Sequence, residues 1–380
     1  MAKKNLRWIV LPLIVAASLF FFLETDFFPG AAPQSQSNES LRLLELVMRL
    51  VQQDYVEEPD PVKTMSGAFK GLVDSLDILS SYLDEAGVQR FQGRGLTGQN
   101  ETGLILYKHY GTFPMVIGIK ENSPAAASDI KLGDPIYALD GISTLGFSML
   151  ESNLYQRAAA ADPVSIKTSR DNANITLDIA RSKLNDGPFA YSNEPSVGGV
   201  LRVHLFHAPL VDRLRTELIP RLREKGQTLV LDLRNCHDGT LEEAIAFTNL
   251  FLQKDRIGHL EKRGGVEEPL SCPEEPALPE TPLVIWVNQA TMGPAELAAT
   301  VLNRERDARI IGHKTLGLVA QRRFFLLDDG SGLVLTSGVF HPAGGEGLWE
   351  KGISPDVKLE PEKQATADYI EQTRKLIESR

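Results

Sequence analysis

The segment VNQATMGPAELAATVL, residues 287 to 302, constrains the fold more than any other part of this chain. It has the pattern of a buried apolar strand, a loop of small residues and the start of a helix. From about residue 186 onward, apolar strands such as TLVLDLRN alternate with helices such as LEEAIAFTNLFLQ, which is typical of an α/β layer. Enzymes often carry a nucleophile at such a junction. This loop contains no serine and no cysteine.

The remainder of the chain follows other periodicities. Residues 40–95 carry apolar positions at helical spacing, as in LRLLELVMRLVQQDYV, and predict two or three amphipathic helices. Residues 96–182 hold short β-like runs such as LILYK and VSIKTS between Gly- and Asn-rich turns, and predict a small β-rich module. Residues 186–362 form the predicted α/β core, followed by a helix at 363–380. The predicted fold class is therefore mixed α+β and α/β.

The amino terminus predicts export. Three cations among the first seven residues precede an apolar run from Trp8 to Leu23, the polarity of a segment whose amino end stays in the cytoplasm. A run of this length covers roughly 24 Å, so a cleaved signal peptide and an uncleaved anchor are both open. We favour an anchor over residues 1–28, because no A-x-A cleavage site follows the run. Residues 29–39 then predict a flexible linker.

Charge and residue spacing exclude some classes of function. A net charge of −10 without a dense basic block argues against nucleic-acid binding. His204 and His207 lie three apart on a predicted strand and would point to opposite faces, so we expect no metal site and no cofactor. Cys236 and Cys272 would be exported, where they could form a disulfide or remain two free thiols.

Several stretches resemble a known family in order. NSPAAASDIKLGDPIYALDG resembles the central turn of PDZ domains. LVQQDYVEEPDP, LVLDLRNCHDG, PLVIWVNQATMGPAELAATVL, IIGHKTLG and KGISPDV resemble successive landmarks of the carboxyl-terminal processing peptidases, or tail-specific proteases. The resemblance implies an exported serine protease with a crotonase- or ClpP-like core and a Ser/Lys dyad. In this family, an embedded PDZ domain presents the carboxyl terminus of a substrate to the cleft.

The catalytic positions depart from the family pattern. The motif V-N-x-x-S-A-S-A-S-E, laid on residues 287–296, puts Gly293 where the family has its nucleophilic serine. The turn Thr315-Leu316-Gly317 is followed by Leu318, where the family has its lysine. The resemblance places the lysine-orienting glutamine at Gln321, although a gap-free count reaches Arg322.

The family's oxyanion turn is also altered. The N-P-G-G motif corresponds to residues 236–239, which include Asp238 and Gly239. Loss of the nucleophile in a serine protease costs on the order of a millionfold in turnover. We therefore predict a catalytically degenerate member of the family that binds peptide tails or regulates an active relative.

Alternatives remain open at this stage. A rewired protease would use the Thr291 hydroxyl with Lys314 or His313 as its base, or His237 as a new general base. The resemblance implies a peptide groove at Gly103, Leu104, Ile105 and Leu106, where main-chain groups would receive a carboxyl terminus by strand addition. The predicted partners are protein or peptide carboxyl termini, an active protease relative, the membrane through the N-terminal segment, and a second copy through the 40–95 helices. The predicted location is the periplasm or the extracytoplasmic face of the inner membrane.

Overall fold

The computed structural model describes residues 34–93, 100–184, 187–222 and 227–379. The chain divides into two compact units, Met1–Met65 and Ser66–Arg380. The expected anchor or signal peptide at residues 1–28 lies outside the described residues. Within the described ranges, no helix is both long and apolar enough to span a bilayer.

The N-terminal region is helical, as predicted. It contains α1 (Gln34–Asp54), α2 (Pro61–Asp74), β1 (Ser81–Leu83) and α3 (Glu85–Gln92). Helix α1 begins inside the predicted linker 29–39, so the expectation of a flexible tether is wrong from Gln34 onward. The physical reason is that no glycine or proline interrupts residues 34–54, so the helical periodicity extends back to Gln34. Asp84 caps α3 by accepting a hydrogen bond from the Gly87 amide.

The β-rich module consists, in its described residues, of short strands, one α-helix and a 3₁₀ turn (Thr144–Gly146). The strands and the helix are β2 (Asn100–Glu101), β3 (Leu104–Tyr107), β4 (Met115–Ile119), β5 (Ile136–Leu139), β6 (Ile142–Ser143), α4 (Met149–Tyr155), β7 (Arg157–Ala158), β8 (Val164–Arg170), β9 (Ala173–Ile179) and β10 (Ser182–Lys183). A four-stranded sheet runs β6-β5-β8-β9, and β3 pairs with β4. Leu106, Val116 and Ile166 are among the fully buried side chains of its core.

The α/β core follows from residue 189. Its elements are β11 (Phe189–Glu194), β12 (Gly198–Val203), α5 (Leu210–Arg213), a π-helical turn (Leu214–Leu218), α6 (Ile219–Leu222), β13 (Leu229–Asp232), α7 (Leu241–Thr248), β14 (Lys254–Lys262), β15 (Val266–Cys272), β16 (Leu283–Val287), α8 (Pro294–Arg306), β17 (Arg309–Gly312), β18 (Ala320–Leu326), β19 (Gly332–Pro342), β20 (Val357–Lys358) and α9 (Thr366–Glu378).

One six-stranded sheet organises this core, in the order β11-β12-β13-β16-β17-β20. All neighbouring pairs except β11–β12 are parallel. Ile285 and Val287 face a large apolar layer that includes α7 and α8, whereas Val284 and Trp286 pack with Tyr369 of α9 on the other face. Because both faces are covered, β13 and β16 are buried along their whole length, as their continuous apolar sequences predict.

Two close contacts hold the β-rich module beside the core, and a second sheet joins β1 to strands of the core. In the second sheet, β1 and β18 both pair with β19. A Cβ atom added to Gly118 of β4 would lie 2.6 Å from Cβ of Ala290, in the loop after β16. The Asn235 side-chain amide also donates to the Ile119 carbonyl at 3.0 Å. The module therefore lies directly against the loop that begins α8.

Candidate functional site

The loop after β16 ends in a glycine with a positive φ. Gly293 has φ 58° and ψ −114°, immediately before Pro294 begins α8. Only glycine adopts such a conformation without strain. A Cβ atom built on Gly293 meets only the Leu318 carbonyl oxygen, at 3.5 Å. Gly293 and Leu318 thus lie close together, and a side chain at position 293 would have space but a strained backbone.

Glu296 holds the two loops of this site together. This buried carboxylate accepts hydrogen bonds from the amides of Gly293 at 3.0 Å, Gly317 at 2.6 Å and Leu318 at 2.9 Å, and from the Thr315 hydroxyl. Burial raises the pKa of Glu296, and the four donors oppose that rise. Because every partner is a donor, the ionised form fits this site. Sequence reasoning passed over this residue, although its position in the family motif was an available signal.

Leu318 makes the position opposite Gly293 apolar. Its side chain is buried in a cluster with Leu79, Met292 and Ile105. The side chain contributes no titratable group, and an amine in its place would be desolvated by these neighbours. No proton acceptor for a nucleophile is therefore present at position 318.

Gly293 and Leu318 line one cavity of about 590 Å³. Its walls come from α4 of the β-rich module, from the segment before β1, from the turn after β13, and from β18. The lining residues used below are Asn153, Arg157, His237, Asp238, Gly239, Gly293, Pro294, Leu318, Gln321 and Arg322.

The turn after β13 is not arranged to bind a developing oxyanion. Asp238 directs one carboxylate oxygen to the Gly239 amide at 2.9 Å and the other to Arg157 at 3.3 Å. Pro294 has no amide hydrogen, so the first residue of α8 cannot donate to a bound carbonyl. Both features oppose stabilisation of negative charge beside position 293. The missing donor at Pro294 is a further departure that the structure adds to those read from the sequence.

His237 is the one imidazole in the cavity lining. Burial and the charge of Lys120 lower its pKa to about 4, so the ring is neutral at pH 7. Its Nδ1 atom lies 3.1 Å from the Asn235 carbonyl oxygen. No hydroxyl or thiol nucleophile accompanies it at Gly293, and Cys236 beside it has a buried thiol with a raised pKa.

Both positions considered for the family glutamine, Gln321 and Arg322, line the cavity. The pairing of β18 with β19 is irregular between these two residues, and the extra residue, Ser337, lies on β19. A count along β18 is therefore not displaced by this bulge.

Three of the residues considered for a rewired protease, Thr291, His313 and Lys314, are not part of the cavity lining. The buried Thr291 hydroxyl donates to the Leu233 carbonyl at 2.8 Å and accepts from the Asn288 amide at 3.0 Å, so it stabilises the loop. The Lys314 side chain is exposed, and His313 Nε2 lies 3.0 Å from the Lys363 carbonyl oxygen. The structure does not bring Thr291 and these bases together with Gly293.

The predicted peptide groove lies along β3. Leu104, Ile105 and Leu106 are buried, and Gly103 lies close to Ser123 of the same module, where an added Cβ would lie 2.2 Å from the Ser123 Cβ. Binding of a carboxyl terminus along this strand stays a prediction.

An ionic chain crosses from the β-rich module to the core. Lys120 and Glu101 are 2.7 Å apart, Arg157 lies 3.6 Å from Glu101, and Arg157 continues to Asp238. Glu101 pairs with two cations, and their charges lower its pKa against the effect of burial.

The two cysteines are not bonded to each other. Cys236 and Cys272 are both free and buried, so the disulfide alternative is wrong. Burial raises the pKa of both thiols, that of Cys272 to about 12.

Comparison with known proteins agrees with the fold. Residues 198–359 match peptidase family S41, and residues 95–180 match the PDZ domain. The carboxy-terminal processing protease CtpA of Bacillus subtilis is 28% identical over 368 residues, covering 96% of this chain and 78% of that protein. A carboxyl-terminal-processing protease of Picosynechococcus is 30% identical over 243 residues, covering 62% of this chain and 58% of that protein.

A solved structure has the same fold. The photosystem II D1 C-terminal processing protease superposes with a TM-score of 0.69 at 20% identity, covering 87% of this chain and 90% of that one. The β-rich module and the α/β core are therefore a PDZ domain and an S41 protease fold.

Proposed function

We propose that this chain, a member of the carboxyl-terminal processing proteases of peptidase family S41, binds polypeptide carboxyl termini without hydrolysing them. The observation that carries the proposal is the pairing of Gly293 with Leu318 in one cavity. The main chain at Gly293 has a conformation that only glycine adopts without strain, and neither a hydroxyl nor an amine is present at positions 293 and 318. Pro294 and Asp238 weaken the oxyanion site as well.

Two measurements on the full chain test the absence of hydrolysis. We expect no labelling by a fluorophosphonate probe and no cleavage of an unfolded protein substrate. Thr291→Ala is the informative variant, because Thr291 is the loop hydroxyl considered for a rewired site. Cleavage by the unaltered protein that disappears in Thr291→Ala would overturn the proposal in favour of an active peptidase.

Repair of the site provides a positive test. Gly293→Ser with Leu318→Lys restores the family residue types, and the space beside Gly293 accommodates a Cβ, while the positive φ strains any residue other than glycine there. We expect this double variant to remain close to inactive, because Pro294 still lacks an amide and Asp238 still carries a charge beside the reacting carbonyl. Adding Pro294→Ala and Asp238→Gly should produce measurable cleavage. Full activity of the double variant would show that the oxyanion site is intact.

The proposed location is the extracytoplasmic face of the inner membrane, with residues 1–28 as the tether. Support comes from the cations before the apolar run of Trp8 to Leu23. An alkaline-phosphatase fusion after Gln34 should be active, and the protein should stay with membranes after carbonate extraction. Recovery of the protein in the soluble fraction would favour a cleaved signal peptide.

A second copy or an active relative is the proposed protein partner of α1. This helix exposes Leu43 at 62% and Leu41 at 56%, with further leucines along its length. Apolar side chains in this number on one helix favour helix–helix association. Sedimentation of the detergent-solubilised full chain should give a dimer, and Leu43→Glu should give a monomer. A monomer from both proteins would contradict self-association.

A further inference from the structure

Strand β3 of the PDZ domain carries a hydrogen-bonding edge that faces α4. Val116 lies opposite Leu106 on β4, but it donates to the Asp134 carbonyl at 3.0 Å and accepts from the Gly133 amide at 2.8 Å. Leu106 and Val116 are therefore a non-hydrogen-bonded pair. The amide and the carbonyl of Leu106 point away from β4, which is the direction from which an added strand would pair.

One side chain already occupies this edge. Asn153 of α4 accepts from the Leu106 amide at 3.0 Å and donates to the Leu106 carbonyl at 2.8 Å. A single carboxamide thus makes the two bonds that the main chain of a paired strand would make. It takes the place of one residue of a bound peptide.

The same helix closes the other end of the groove. The Thr102 hydroxyl donates to the Gln156 side-chain oxygen at 2.6 Å and lies 3.3 Å from the Leu104 amide. Leu150 and Leu154 fix α4 in a buried cluster with Leu83. Because the helix is held by this packing, a groove can open most easily by movement of the Asn153 side chain.

Asn153 also lines the cavity that contains Gly293. We propose that Asn153 is an internal competitor that closes the PDZ groove, and that an arriving carboxyl-terminal peptide displaces it into the cavity, exchanging two hydrogen bonds for two. The inference rests on the proposed peptide binding. It adds that the apparent affinity equals the affinity of the open groove multiplied by the fraction of molecules in which Asn153 is not bonded to Leu106.

The test compares three variants of the full chain with the unaltered protein. The probe is a fluorescent decapeptide of alternating alanine and valine with a free carboxylate, measured by anisotropy, with its amidated form as reference. Asn153→Ala should bind about tenfold more tightly, because two neutral hydrogen bonds contribute on the order of 1.4 kcal/mol net. Asn153→Ser, whose side chain is too short to reach both Leu106 groups, should also bind the peptide more tightly. It replaces the alanine variant if that variant folds poorly.

Asn249→Ala is the matched control. Asn249 likewise bonds main-chain groups, donating to the carbonyls of Leu252 and Glu274, but it lies in the core outside the cavity lining. We expect its peptide affinity to equal that of the unaltered protein.

Hydrogen exchange provides a second readout. The Leu106 amide should be protected in the unaltered protein, exposed in Asn153→Ala, and protected again when peptide is bound.

The outcomes separate the two proposals. Equal, measurable affinity of the unaltered protein and both Asn153 variants overturns the competitor and leaves peptide binding standing. No binding by any of the proteins overturns both. Equal tightening in Asn249→Ala also overturns the competitor, because general loosening of the fold would then explain the gain.

Discussion

Replacing Glu296 by glutamine should destabilise the whole site. The four donors divide between the two carboxylate oxygens, with Thr315 and Gly317 on one and Gly293 and Leu318 on the other. The glutamine oxygen can serve one pair only. With that oxygen on the amides of Gly293 and Leu318, the NH₂ group can donate to the Thr315 hydroxyl, but the Gly317 amide loses its acceptor. An unsatisfied buried donor costs about 1–3 kcal/mol, and we expect a loss of this size.

Urea unfolding at pH 7, followed by the fluorescence of the buried Trp286, measures this loss. Glu305→Gln is the matched control on the same helix, because Glu305 makes a partly exposed ion pair with Lys254. Such a pair contributes about 0–1 kcal/mol. If Glu296→Gln costs no more than Glu305→Gln, the carboxylate does not hold the loops of Gly293 and Leu318 together.

Three further predictions concern the surroundings of the site. Gly118→Val should lower the unfolding free energy by about 1–3 kcal/mol in the same urea assay, because the loop after β16 leaves no space for a side chain; unchanged stability would contradict the close docking of the PDZ domain. Burial, with the charge of Glu151, raises the pKa of Asp74 to about 7, so the folded state holds a proton that the unfolded state releases above about pH 4. The contribution of Asp74 to stability should therefore be lost as pH rises from about 4 to about 7, and Asp74→Asn should remove about 1–2 kcal/mol of the fall over that range; parallel pH profiles would refute the assignment. Cys236 and Cys272 should react with a thiol reagent only after unfolding, and rapid labelling of the native protein would show that they are accessible.

The sequence predicted those parts of the fold and the site that depend on order along the chain. The three folded pieces and the proximity of Gly293 to Leu318 follow from landmarks in a fixed order, because the ends of neighbouring parallel strands meet at one edge of a sheet. The main-chain state of Gly293 and the roles of Glu296 and Pro294 became visible only with hydrogen bonds and dihedral angles.

What the sequence did not predict has a common physical origin. The groove at Gly103 to Leu106 was inferred from local sequence, but Leu106 is bonded to Asn153, some fifty residues away. The linker was assigned from polar composition, whereas α1 continues wherever no residue breaks it. Long-range side-chain bonds and the persistence of a helix are not encoded in a short motif.

Pro294 shows how a main-chain hydrogen-bond donor can be lost without destabilising the fold. The amide at the first position of a helix has no partner inside the helix, and the dihedral angle of proline suits that position. Selection for stability therefore does not oppose proline there, and can even favour it. Under the proposed function, a serine at position 293 alone would not restore hydrolysis, because Pro294 would still lack an amide hydrogen. Each further change that the fold tolerates adds to the substitutions that a return to activity would require.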